Sequence, residues 1–129
     1  MAYKDLEQII IDSYESGITL DEAEKLAGRF LAAQIEVSRE LQVADLNSRM
    51  RKSGVKAIRA AVYTSTIQQA DKRPTEAALD HTLNMDELVL TEQKEFDTTE
   101  ANKAELERMY SIFQNAHLHF RAIAKGRFE

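Results

Sequence analysis

Seven basic side chains stand within residues 49–73: Arg49, Arg51, Lys52, Lys56, Arg59, Lys72 and Arg73. Asp71 is the only acid among them, so this stretch carries +6 in a chain whose formal charge is −5. Charge segregated this strongly faces something negative: nucleic acid, an anionic membrane surface, or the acidic part of another copy. On a helix, Arg49, Lys52, Lys56 and Arg59 step by 3, 4 and 3 and share one face. Such a row spans several phosphates and binds with a strong salt dependence. Tyr63 lies one turn beyond Arg59, at a position to stack on a base. The same row could instead pair with the acidic segment 86–107 of a neighbouring subunit, and charge alone leaves both readings open.

Other chemistry finds little support. His117 and His119 are two residues apart, about 200° around a helix, so they cannot chelate one ion from one face. His81 stands alone. Carboxylates are plentiful, but Glu100, Glu105 and Glu107 follow the spacing of a solvated helix face. There is no glycine-rich phosphate loop, no H-E-x-x-H and no nucleophile motif. Cysteine is absent, which excludes disulfides and thiolate sites. The expected protein is therefore not an enzyme and needs no cofactor or metal. His117, Arg121, Lys125 and Arg127 form a second basic cluster. Its first three members step by four, and cations near a helix C-terminus complement the helix dipole.

The elements that must position these residues are helical. Gly and Pro number only 4 and 1 in 129 residues, and charged residues reach 30%, a composition suited to long helices with few turns. Leu6, Ile9, Ile10 and Tyr14 recur at helical spacing, and Gly17 is a natural stop, predicting a short helix over residues 3–16. Thr19 and Glu22 have the spacing of a capping box, opening a helix over residues 20–70. Its stripe runs through Leu26, Ala27, Phe30, Ala33, Val37, Leu41 and Ala44. Gly54 costs about 1 kcal/mol against Ala inside a helix and marks a kink or a break. Pro74 forbids continuation and suits the first turn of a short helix over residues 75–83. Asn84 and Asp86 then offer caps for a last helix over residues 86–125, with Thr98-Thr99 a weak spot and Gly126 the stop.

The expected fold is thus all-α, a single helical domain: a short N-terminal helix, then two long helices in an antiparallel hairpin with a short helix between them. A helix of about 35 residues is about 52 Å long. Two such rods bury one stripe each and build no thick core, which points to a homo-oligomer with a helical interface. Breaks at Gly54 and Thr98 would instead give a compact monomeric bundle. Charge is blocky along the chain: −6 over residues 1–48, +6 over 49–73, −8 over 74–107 and +3 over 108–129. No apolar run approaches the roughly 18 residues of a membrane span. The opening residues lack a signal-peptide layout, so a soluble cytoplasmic protein is expected.

The stretches DLNSRMRKSGVKAIRAAVYTSTIQQADKRPTEAALDHTL and NAHLHFRAIAKGRF resemble small helical proteins of tailed bacteriophages. Within these the chain is similar to recombination mediators of the UvsY kind. The shared pattern is a long basic helix with K-A-x-R/K-A-x-x-Y character, a polar break, and a long helix ending in an aromatic, basic tail. It covers roughly residues 41–128; the acidic N-terminal portion has no counterpart in it. The resemblance implies an oligomer, in the host cytoplasm, that binds single-stranded DNA, helps displace single-strand-binding protein and loads a RecA-like recombinase. Arg49, Arg51, Lys52, Lys56 and Arg59 match its basic helix, with Lys72 and Arg73 beyond. A net charge of −5 departs from the pattern. Two other functions fit the sequence. The acidic face of Glu92, Glu95, Asp97 and Glu100 would suit a small protein-binding module, such as a host-defence inhibitor. A virion assembly protein would also fit.

Overall fold

A computed structural model describes residues 3–126 of the chain. It contains four helices: α1 (Tyr3–Ser16), α2 (Leu20–Gln69), α3 (Glu76–Met85) and α4 (Glu87–Ala124). The described residues contain no strand. The all-α hairpin with a short helix at each expected place is what the chain forms.

Local chemistry accounts for each boundary. Gly17 closes α1 at φ 71°, its N–H donating to the Ser13 carbonyl at 3.0 Å; only glycine enters that region without strain. The Thr19 hydroxyl accepts from the Glu22 N–H at 3.2 Å and starts α2. Thr75, not Pro74, caps α3, accepting from the Ala78 N–H at 3.1 Å. Pro74 therefore sits one residue before the cap rather than in the first turn. Asp86 separates α3 from α4 and takes the Leu88 and Val89 N–H groups at 2.9 and 3.1 Å. One aspartate thus satisfies two of the donors that a helix start leaves orphaned.

Neither weak spot breaks a helix. α2 is unbroken through Gly54. α4 runs through Thr98 and Thr99, whose hydroxyls donate to the Lys94 and Phe96 carbonyls at 2.9 and 2.7 Å. Back-bonding of this kind lets threonine stay inside a helix without an unsatisfied group.

The contacts divide the chain into two compact units, Met1–Gln42 with Glu105–Glu129, and Val43–Ala104. The first unit has an aromatic core. Phe30, Phe113 and Phe120 are fully buried, with ring centroids 5.8 Å apart for Phe30–Phe113 and 5.4 Å for Phe30–Phe120. Leu6 from α1 and Val37 from α2 complete it. Burying one such side chain contributes about 1.5–3 kcal/mol. Arg108 ties α1 to α4 by donating to Glu7 at 3.2 Å and to Glu105 at 2.6 Å. That contact holds the Glu105 carboxyl below the usual carboxylate range.

The second unit buries smaller side chains: Ala44, Ser48 and Val55 on α2, Leu79 and Leu83 on α3, and Val89 on α4. Polar rungs join α2 to α4 there. Asp45 meets Lys103 at 3.0 Å, the Ser48 hydroxyl donates to the Glu100 carboxylate, and Arg51 meets Glu95 at 2.9 Å. Residue numbers rise along α2 as they fall along α4, so the two helices are antiparallel.

Two outcomes are expected. A Cβ on Gly54 would meet only the Glu92 carboxylate oxygen, at 3.4 Å, an ordinary contact with the end of a flexible side chain. Gly54→Ala should therefore stabilise the protein by about 1 kcal/mol in urea unfolding; a destabilised variant would show that the position needs glycine. The second concerns Tyr3, whose hydroxyl is shut off from water beside the Glu40 carboxylate. Loss of water, then the nearby Glu40 and Glu36 carboxylates, push its pKa from 10.0 up to about 12. The fold thus favours the protonated phenol, and its contribution is full below pH 10. It is lost as the pH rises from 10 through about 12, because the unfolded chain ionises first. Tyr3→Phe should remove that loss from the stability–pH curve, and an unchanged alkaline limb would refute the assignment.

Candidate nucleic-acid interface

The basic stretch lies in the second unit, on the central and C-terminal turns of α2 and the connection to α3. Its members have different surroundings. Arg51 turns toward α4, where its guanidinium contacts Glu95 at 2.9 Å and Glu92 at 3.9 Å. Arg49 is well exposed and pairs with Asp45, one turn earlier, at 3.0 Å. Asp45 is held below the usual carboxylate range first by its hydrogen bond from Lys103 and then by Arg49.

Lys52, Lys56 and Arg59 continue the row beyond Arg49. The two lysines are exposed and Arg59 is half-buried. Among the described residues none of the three forms an ion pair. An ammonium or guanidinium group without a carboxylate partner keeps its full charge available to an incoming anion.

Tyr63 is half-buried, and its hydroxyl accepts from the Arg73 guanidinium at 3.4 Å. Arg73 also meets Glu76 at 3.6 Å. The connection after α2 thereby folds back on the last turns of the helix, and Arg73 stands beside the aromatic ring one turn past Arg59. Lys72 is exposed in that connection and forms no ion pair among the described residues. A ring flanked by cations suits base stacking next to a phosphate contact.

The acidic side of the same unit is largely occupied. Glu92 and Glu95 hold Arg51, Glu100 accepts from Ser48, and Asp97 accepts from Gln93 at 2.9 Å. Within the chain, the basic stretch meets segment 86–107 through Arg51. A cleft of about 390 Å³ lies between Asn47, Met50, Arg51 and Gly54 of α2 and Glu92 and Thr99 of α4. Its two charged groups are each other's partners.

The histidines of the first unit have packing roles. The His117 Nδ1 lies 2.8 Å from the Ala27 carbonyl, which can only accept, so that nitrogen carries the proton. The His119 ring lies tilted against Tyr14, with centroids 5.1 Å apart, and edge-on to Phe120 at 5.2 Å. No group of three or more metal-ligating side chains comes together among the described residues. Arg121 and Lys125 are exposed near the end of α4; Arg127, the last member of the tail cluster, and Phe128 lie outside the described residues.

One feature escaped the sequence reading. α2 has a second apolar strip, on the side away from its buried residues. Val43, Leu46 and Met50 are 59, 57 and 63% exposed. Their 3 and 4 spacing is visible in the sequence, but the stripe of the opposite face masked it.

The different surroundings of the cations predict different mutational effects. Arg51→Ala should cost about 0.5–1 kcal/mol in urea unfolding, as expected of a surface network, whereas Lys56→Ala should change stability by less than about 0.5 kcal/mol. Equal costs would mean that Arg51 has no special tie to α4. No helix among the described residues is long and apolar enough to cross a membrane. No family model matches the chain, and no curated protein or solved structure matches it significantly.

Proposed function

We propose that this chain binds single-stranded DNA through the α2 face of Arg49, Lys52, Lys56 and Arg59, extended by Tyr63, Lys72 and Arg73. It acts without catalysis and as a homo-oligomer. The observation that carries the reading is the run of cations without carboxylate partners, Lys52, Lys56 and Arg59, beside a tyrosine already in contact with an arginine. A net charge of −5 does not oppose this locally, because charge decays over about 8–10 Å at physiological salt and the row is met at shorter range.

The resemblance to phage recombination mediators supplies the biological role. In that role the chain occupies single-stranded DNA, helps displace single-strand-binding protein, and loads a RecA-like recombinase. Several copies presenting one row each would add weak contacts by avidity. The competing reading, a protein-binding module or virion assembly protein using the acidic face of α4, draws less support, since Glu92, Glu95 and Glu100 already have partners inside the chain.

Fluorescence anisotropy with a labelled oligo-dT tests this directly. Binding should weaken steeply with salt. Lys52→Glu/Lys56→Glu should lower affinity at least about tenfold at low salt and reduce the salt slope by about 1.4, roughly 0.7 for each lost phosphate contact. Far-UV circular dichroism should be unchanged, because both side chains are exposed. Absence of binding by the unaltered chain at low salt would exclude the proposal, and normal binding by the variant would exclude the site.

A further inference from the structure

The second strip of α2 continues past Met50 with small side chains. Positions 43, 46, 50, 53, 57 and 60 step by 3, 4, 3, 4 and 3, the spacing of one seam along a helix. Val43, Leu46 and Met50 are more than half exposed, and Ser53, Ala57 and Ala60 are exposed as well. The large side chains occupy the first half of the strip and the small ones the second. The spacing reads the same in both directions, so reversing the strip sets each large residue against a small one.

We infer that this strip is a self-association surface that receives a second copy of the chain in antiparallel register. Val43 packs against the partner's Ala60, Leu46 against the partner's Ala57, and Met50 against the partner's Ser53. Large-to-small matching of facing positions is what lets two helices interdigitate without voids or clashes. A partner of other sequence would have no reason to match this pattern in reverse, whereas a second copy does so by symmetry.

Charge differs between the two margins of the strip. Arg49 and Lys56 border the strip on one side, with Lys52 behind them; Asn47 and Gly54 border it on the other. In an antiparallel pair like margins meet. Asn47 then lies near the partner's Gly54, an uncharged contact with no side chain to exclude. Arg49 lies near the partner's Lys56, so the opposite margin gathers the cations of both copies along one groove. The strip is short, and half of its positions carry only Ser or Ala side chains, so it falls below the roughly 1,000 Å² in total that a stable interface needs. The pair is therefore weak alone, opposed by like charges at low salt, and strengthened when a polyanion fills the groove. This last consequence rests on the proposed DNA binding; the register does not.

The test exploits the lack of cysteine in the chain. A Val43→Cys/Ala60→Cys variant, oxidised at about 300 mM salt to screen the cations, should give a covalent dimer on a non-reducing gel. Val43→Cys alone should give none, because the two copies of position 43 lie about 25 Å apart in this register, beyond disulfide reach. Adding Leu46→Gln/Met50→Gln to the double variant should abolish the dimer while circular dichroism stays helical. Absence of dimer from the double variant overturns the inference, as does equal yield from Val43→Cys alone, which signals a parallel pair. Repeating the reaction at about 50 mM salt with and without a 20-nucleotide oligo-dT separates the two ideas. A dimer at high salt that oligo-dT does not increase at low salt sustains the surface and removes the DNA reading.

Discussion

The rungs between α2 and α4 in the second unit set the terms for everything around them. Asp45 to Lys103, Ser48 to Glu100 and Arg51 to Glu95 advance three residues at a time on α2. That repeat holds only if both helices are continuous and the pair stays in one register. The buried residues between the rungs are small, and the only large aliphatics come from Leu79 and Leu83 of α3. Apolar burial therefore contributes less here than in the aromatic core of the first unit. The polar rungs add modest energy, because exposed ion pairs are screened by water. Their larger effect is on specificity, since a slip of one turn would leave the buried Ser48 hydroxyl facing the wrong residue.

The same rungs decide which charges remain for a ligand. Carboxylates of α4 are drawn to Arg51 and Ser48, on the side of α2 that meets α4. Lys52 and Lys56 stand on the outer flank, out of reach of those acids. The chain thus keeps a strong internal charge segregation without neutralising it. Arg49 is intermediate, since Asp45 divides itself between Arg49 and Lys103. The two apolar strips of α2 have a comparable division of labour: one is covered within the chain, the other is open to solvent.

Helix boundaries were legible from single residues. Gly17, Thr19, Asp86 and Gly126 each act through a hydrogen bond or a backbone conformation that their own chemistry favours, so the sequence marks them directly. The weak spots were harder to read. Gly54 costs helix propensity, yet packing and polar contacts on neighbouring turns outweigh about 1 kcal/mol. Thr98 and Thr99 find carbonyl partners within their own helix. Pro74 marks a boundary without fixing its own place in it, because proline suits both the first turn and the residue before a cap.

By itself the sequence determined the helical class, the helix ends and the grouping of basic residues on one face of α2, because these follow from backbone chemistry and a 3.6-residue period. Only the tertiary structure decided which of those cations are engaged. Arg51 and Lys52 are adjacent in the chain and alike in charge, but about 100° separates them around the helix. That rotation places one against the glutamates of α4 and the other in solvent, a difference that depends on where the second helix packs.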